Sequence, residues 1–186
     1  FAFGRPMLTE KGYPTPFTRP NYYDWRGANT FRHYCVMIDE WPHRNRNAGD
    51  LNTLAESPEV HLMDGAAEIT YPGVASLYRR TTVLVDISDE DSYLLDIFRV
   101  RGGSQHDWCF HGPPFPEFSV NGGELGPVQK KGTLAGEDVA YGARPPQNGG
   151  SCGFQGLFNV RRMRPKAAWS AVWRKPDEDL YLTMTM

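Results

Sequence analysis

The sequence predicts an all-β fold, specifically an antiparallel β-sandwich, and three observations support this prediction. Aromatic residues make up 13% of the 186 residues, and Gly (19) and Pro (15) are frequent, which is typical of short strands joined by turns. The apolar segments are short and are bounded by turn residues. No segment shows the periodicity of an amphipathic helix. We assign residues 1–186 to a single domain, since the length is that of one domain.

Nine segments read as strands, because each is apolar and lies between turn residues. Their residues are 1–8, 33–40, 59–65, 77–87, 92–101, 105–112, 157–164, 167–174 and 179–186. The third segment ends in Asp-Gly, a common turn signal. Residues 11–30 and 112–156 carry little apolar periodicity and read as loops. A loop as long as the second is unusual in a compact domain, and we expect it to be functional or to pack against another part of the protein.

The clearest element is a β-hairpin formed by two apolar runs, 77–87 and 92–101, on either side of the acidic turn "SDED". Side chains alternate between the two faces of a strand. Leu95 and Ile97 therefore lie on one face of the second strand, and Leu94 lies on the other with further apolar residues. We expect both faces of the hairpin to be covered at least in part, as in the packed layers of a sandwich.

Composition excludes several classes of function. A net charge of −2 argues against a protein built to grip nucleic acid, and no apolar run reaches the length of a membrane-spanning helix. The sequence has no G-x-S-x-G motif and no phosphate-binding Gly loop between a strand and a helix. Three cysteines, Cys35, Cys109 and Cys152, allow at most one disulfide and neither demand nor exclude an oxidising compartment.

Both ends of the chain lie in strand-like sequence. It opens on "FAFGRPML" without an initiator Met and closes on "LYLTMTM". Natural domains seldom stop inside a strand, so we expect this chain to be an excised part of a larger protein.

Arginines recur in the motifs "YRR", "RVR" and "RRMR". Arg99 and Arg101 share one strand face, and together with Arg79 of the preceding strand they form a candidate site for carboxylates or sulfates. The alternative is that these arginines pair across the sheet with Asp86, Asp96 or another acid.

Three histidines are candidates for special roles. His33 and Cys35 share a face if residues 33–40 form a strand, which is a workable metal-ligand geometry, although zinc needs three or four ligands. The alternative is that His33 is a hydrogen-bonded structural residue. His106 lies on a core or groove face beside Trp108, and His111 is expected to satisfy backbone groups at the following Gly-Pro-Pro turn. Five positions apart on one strand, these last two histidines point in opposite directions and cannot share a metal.

The stretch "YPGVASLYRRTTVLVDISDEDSYLLDIFRVRGGSQHDWCFHG" resembles the heparinase II/III-like family of polysaccharide lyases. A comparable block of that family runs Tyr-Arg-Arg, a hydrophobic strand, an Asp-Val-Phe-Arg-Val-like strand, Gly-Gly, His-Asp-aromatic and His-Gly. "FAFGRPMLTEKGYP" and "FRHYCVMID" are similar to two further family segments and occur in the same order. The resemblance covers about residues 1–111 well and the rest loosely.

The resemblance implies a β-sandwich that follows an upstream α/α-toroid catalytic domain. Such lyases cleave uronic-acid polysaccharides, glycosaminoglycans among them, by β-elimination. Most of the catalytic residues would lie on the toroid, and the family's His-x-His-x-Asp motif would lie just before Phe1. No catalytic residue is therefore expected in this chain, and a periplasmic or secreted location follows from the family.

Some positions of the family pattern carry over. In the family, a structural zinc can be bound by the acidic residue before Gly-Tyr, here Glu10, and by the His that opens the His-Asn-Thr strand, here His33. Glu replaces the usual Asp, and Tyr34-Cys35 replaces Asn-Thr. His106 recurs in the His-Asp-aromatic strand, which implies a role at the sandwich–toroid boundary or in a polar network of the sheet rather than in catalysis.

The sequence therefore predicts the β-sandwich portion of a polysaccharide lyase, inactive on its own, which faces an acidic polysaccharide through its arginines. A non-catalytic glycan-binding or structural β-module is the alternative. A third possibility is an isolated metal-binding sandwich.

Overall fold

The computed structural model of the chain describes residues 7–8, 30–44, 49–89, 91–143 and 153–186. Its strands are β1 (Val36–Ile38), β2 (Asp50–Glu56), β3 (Val60–Ala66), β4 (Leu77–Asp86), β5 (Ser92–Arg101), β6 (His106–Trp108), β7 (Glu117–Asn121), β8 (Ser170–Lys175) and β9 (Leu180–Thr185). Three short 3-10 turns are the only helical elements in these ranges. All strand pairs are antiparallel, which confirms the predicted all-β class and agrees with a sandwich-like fold.

The strands form three sheets. β1 pairs with β6, the strands β2-β3-β4-β5 form a four-stranded sheet in that order, and β7-β8-β9 form a three-stranded sheet. The residues group into two compact units. The first two sheets belong to the middle unit, Cys35–Cys109. The third belongs to the terminal unit, which comprises Phe1–Tyr34 and Phe110–Met186.

The hairpin prediction is confirmed, since β4 and β5 pair over ten residues from Leu77↔Arg101 to Asp86↔Ser92. Within the described residues, only one of its two faces is covered, and only at one end. There, Tyr78 of β4 is buried with Val36, Ile38 and Tyr71 in the core of the middle unit, against which Phe98 and Val100 of β5 also pack.

Away from this core, the four-stranded sheet exposes apolar side chains on both faces. Leu54 is 63% exposed in the edge strand β2, and Leu94 and Leu95, neighbours on opposite faces of the edge strand β5, are about half exposed. In this part of the sheet, no described residue covers both faces of the hairpin as expected. This sheet leaves apolar area in water that a folded domain normally buries.

Three predicted strands differ in the structure, and one of them, residues 105–112, contains only β6. Residues 33–40 contain only β1, because Tyr34, Asp39 and Glu40 have φ of 38°, 52° and 58°, which are incompatible with a strand. Residues 157–164 are irregular, although Gln129 and Gly126 donate backbone hydrogen bonds to carbonyls of this segment.

Two strands form where none was predicted. β2 is exposed throughout and lacks apolar alternation, and it forms at the edge of the sheet by pairing with β3. β7 lies inside the expected loop 112–156 and pairs with β8. The predicted turn at Asp64-Gly65 is wrong as well, because both residues lie within β3 and pair with Thr81 and Arg80 of β4.

The terminal unit packs around the indole of Trp173 in β8. The rings of Phe110 and Phe118 have their centroids 5.5 and 5.2 Å from that of Trp173. Gly112 lies directly against the same indole, so that a Cβ atom at this position would overlap the ring. The Gly of the Gly-Pro-Pro turn is therefore required by close packing rather than by an unusual backbone angle.

Candidate functional site

The three predicted substrate-binding arginines lie on one face of the four-stranded sheet. Arg79 of β4 is directly opposite Arg99 of β5, and opposite residues in an antiparallel pair share a face. Arg101 lies two residues further along β5 and therefore on the same face. We call these three residues the arginine face. Arg99 and Arg101 are exposed, and Arg79 is partly exposed.

The arginine face is held by a buried carboxylate, Asp64 of β3, whose side chain is 6% exposed. Arg79 Nε donates to Asp64 Oδ1 at 2.7 Å, and Arg99 Nη2 lies 3.4 Å from Oδ2. Thr81 and Asn52 also donate to this carboxylate. The hydrogen bond from Thr81 is the main cause that lowers the pKa of Asp64, and the neighbouring Arg79 acts in the same direction. Asp64 is therefore ionised and forms ion pairs with Arg79 and Arg99.

Cross-strand pairing therefore accounts for part of this cluster. Arg79 and Arg99 share the single carboxylate of Asp64, while Arg80 forms a two-point contact with Asp96 on the opposite face, at 2.8 Å for both bonds. The register places two carboxylates on this face, Asp64 and Asp50, which is opposite Ala66. The three guanidinium groups outnumber them, so the arginine face keeps an excess of positive charge. A guanidinium that is anchored at one nitrogen still has other N–H groups available to a ligand. The arrangement is suited to binding a carboxylate or sulfate group.

The predicted zinc ligands are not brought together in the described residues. Glu10 lies outside these residues, so its position is not part of the structure described. His33 is exposed and lies in a turn before β1, where its backbone N–H donates to Thr30 O at 3.1 Å. Its expected place on a strand face is therefore wrong. The described ranges contain no group of three or more His, Cys, Asp or Glu residues that could hold a metal ion. The zinc site stays a prediction.

The other two candidate histidines bind backbone carbonyls, each in its own unit. His106 begins β6, is exposed, and its Nε2 donates to the carbonyl of Gly102 at 2.7 Å in the middle unit. His111 belongs to the terminal unit, where its Nε2 donates to the carbonyl of Phe31 at 2.8 Å. His111 thus satisfies a backbone group, although the group is on Phe31 rather than in the Gly-Pro-Pro turn.

His43, Tyr71 and Tyr78 form a cluster in the middle unit that the sequence does not reveal. The Tyr78 hydroxyl donates to the carbonyl of Val36 at 2.5 Å and accepts from His43 Nε2 at 2.9 Å. The three rings lie 5.3–5.6 Å apart between centroids. Burial raises the pKa of both tyrosines, so they stay neutral donors. Because these residues are up to 35 positions apart, no local motif could have joined them.

Comparisons with known proteins find no protein similar to this chain. A scan against protein-family models, a search of curated proteins and a search of solved structures each return no match to this chain. Within the described residues, no helix has the length and apolar character needed to cross a membrane.

Proposed function

We propose that this chain is the β-sheet portion of a polysaccharide lyase, similar to the heparinase II/III-like family, and that it binds an acidic polysaccharide through the arginine face. The observation that carries the proposal is the placement of Arg79, Arg99 and Arg101 on one face, above the buried carboxylate of Asp64. Uronic acids and sulfate esters present repeated anionic groups, which guanidinium groups bind through paired hydrogen bonds.

The exposed apolar side chains of the four-stranded sheet support a second part of the proposal, a partner domain. Leu51, Leu54 and Met63 lie on one face of this sheet and are each more than half exposed. Exposed apolar patches of this kind mark interaction surfaces. We assign them to the upstream α/α-toroid that the family resemblance implies.

In this proposal, β-elimination itself takes place on the toroid. The chain described here contributes anionic-substrate binding and orientation, which lower the entropic cost of bringing the uronate to the catalytic base and acid. The proposed location is periplasmic or secreted, where such polysaccharides are found. The structural zinc remains part of the proposal, with His33 and Glu10 as its candidate ligands.

Binding to immobilised heparin and to a polyuronate tests the arginine face on this chain alone. The variant Arg99→Gln/Arg101→Gln is compared with the charge-matched control Arg164→Gln/Arg174→Gln, whose arginines are exposed in the terminal unit. We expect about a tenfold loss of affinity for the first variant and a much smaller loss for the control. Equal losses in both variants would show nonspecific attraction by net charge and would contradict the proposed site.

The lyase activity is tested by β-elimination assays on uronic-acid polysaccharides, with the ultraviolet absorbance of the unsaturated product as the signal. The chain alone and a longer protein that carries an upstream toroid are assayed in parallel. Activity only in the longer protein is expected. Polysaccharide binding without elimination in either protein would favour the alternative, a non-catalytic glycan-binding module.

A further inference from the structure

Cys35 and Cys109 lie opposite each other, each one residue beyond the paired strands β1 and β6. The register of β1 and β6 pairs Val36 with Trp108, and its continuation by one residue places Cys35 opposite Cys109. The backbone N–H of Cys109 donates to the carbonyl of Cys35 at 3.0 Å, so the pairing continues through the two cysteines. Opposite residues of an antiparallel pair point to the same face, with Cα atoms about 5.5 Å apart in a hydrogen-bonded pair. Disulfides bridge Cα separations of about 4.4–6.8 Å.

The two cysteine side chains also act electrostatically on one buried side chain, that of Tyr71. Burial raises the pKa of Tyr71, and the side chains of Cys35 and Cys109 both add to this effect. Both cysteines are thiols in this structure. The pairing of the backbone places their side chains on one face, as a cross-strand disulfide requires.

We propose that Cys35 and Cys109 form a reversible dithiol–disulfide site that closes the middle unit at its base. This unit begins at Cys35 and ends at Cys109, so a bond between them links the two points where the chain enters and leaves it. All of β1–β6, with the core around Tyr71 and Tyr78, lies within the closed loop. A cross-link that closes a long loop restricts the unfolded chain and stabilises the folded one.

The exposure of the two thiols sets the order of the exchange. Cys109 is partly exposed, whereas Cys35 is 7% exposed. The oxidant is a small disulfide such as oxidised glutathione. The Cys109 thiolate attacks one of its sulfur atoms and releases one glutathione thiolate. The Cys35 thiolate then attacks Cys109 Sγ in the mixed disulfide and releases the second. Two protein thiols are oxidised, one glutathione disulfide is reduced to two thiols, and the protons pass to these through solvent.

Peptide mapping of the intact chain tests this site without any substitution. The three cysteines fall on different tryptic peptides, residues 33–44, 102–130 and 132–161. After incubation with oxidised glutathione and blocking of remaining thiols, we expect a linked pair of the first two peptides, which dithiothreitol separates. A link to the peptide that contains Cys152, or glutathione retained on Cys109 beside an unreacted Cys35, would overturn the proposal.

Thermal unfolding gives an independent measurement. The oxidised wild type is expected to unfold about 10 °C or more above the reduced form. Cys152→Ser, the matched control, should show the same shift, and Cys109→Ser should show none. Cys35→Ser alters the more buried partner and could fail to fold. In that case the comparison of oxidised and reduced Cys109→Ser still tests the proposal, because Cys109 is the more exposed partner. An equal shift in Cys109→Ser and wild type would contradict the proposal. None of these outcomes depends on polysaccharide binding, so this site and the proposed function stand or fall separately.

Discussion

Arg79 Nε donates a hydrogen bond of 2.7 Å to Asp64 Oδ1, and this pair joins the middle of β3 to β4 beneath an otherwise exposed group of arginines. Arg99 lies 3.4 Å from the other oxygen of the same carboxylate. A carboxylate that organises two guanidinium groups holds them in a defined geometry, which reduces the entropy lost when a ligand binds. Asp64 is thus the residue on which both the stability of the sheet and the geometry of the arginine face depend.

The stability of the chain should depend on the charge of Asp64. Its pKa is lowered from the ordinary 3.8, so the ionised form is the one that the fold favours. The stability that it contributes is present above pH 3.8 and is lost as the pH falls through the lower pKa of the folded state. We expect Asp64→Asn to unfold at a temperature several degrees below the wild type at neutral pH.

Melting temperatures of both proteins at a series of pH values from neutral to below 3.8 check this prediction. The difference between them should shrink at the acidic end, because the wild-type carboxylate then becomes neutral as well. Asp138→Asn, which removes an exposed partner of Lys131, is the control and should change little. A difference that stays constant across the series would mean that the charge of Asp64 contributes nothing.

The Tyr78 hydroxyl should stabilise the middle unit through its two hydrogen bonds. Tyr78→Phe retains the ring but removes the donor to the carbonyl of Val36 and the acceptor for His43. We expect a loss of about 1–3 kcal/mol in the free energy of unfolding, because a buried carbonyl loses its partner. Tyr181→Phe, at a side chain that is 62% exposed, is the matched control. Urea denaturation measures both, and equal effects would argue against a structural role for the cluster.

Gly112 should be irreplaceable because of the indole beneath it. Gly112→Ala places a methyl group inside the ring of Trp173, and we expect about 1–3 kcal/mol of destabilisation from the resulting shift of packing. Gly156→Ala is the control, since a Cβ atom there has no neighbour within 4 Å. Thermal unfolding, followed by tryptophan fluorescence, compares the two. A stable Gly112→Ala protein would contradict the close contact.

The zinc prediction is tested by the effect of metal on His33→Ala. If His33 is a ligand, its loss should lower the melting temperature more in zinc-containing buffer than in chelator, because only the metal-bound wild type gains stability from the site. His61→Ala, at a partly exposed histidine of β3, is the control. Equal losses in the two buffers would exclude His33 as a ligand.

Local sequence patterns predict those strands and turns that neighbouring residues of the sequence determine. The hairpin of β4 and β5 follows from two apolar runs around an acidic turn, and the structure has it in full. β2 could not be predicted in this way, because its exposed residues are ordered by backbone bonds to β3 rather than by an apolar pattern of its own. The Asp64-Gly65 turn was wrong for a related reason. A local turn preference is outweighed by partners on β4 and β5 that lie 15 to 35 residues away.

The candidate site likewise has features that local sequence predicts and features that depend on the pairing of distant residues. Alternation along β5 places Arg99 and Arg101 on one face from sequence alone, but the alignment of Arg79 with Arg99 requires the register of the sheet. His33 does not lie in a strand, because the next residue, Tyr34, has a positive φ. The sequence around Tyr34 contains no pattern that predicts this φ. The pairing of Asp64 with two arginines is likewise a product of register, which apolar patterning specifies only through the whole sheet.

The adjacency of Cys35 and Cys109 makes the middle unit an insertion in topological terms. Its chain leaves beside the point where it enters, so a polypeptide that keeps Cys35 and Cys109 but lacks the residues between them would need to bridge only the ~5.5 Å between two paired backbones. A two-residue turn spans that gap. The same proximity allows the unit's own ends to be joined and new termini to be opened at the exposed hairpin turn between β4 and β5, as in a circular permutation.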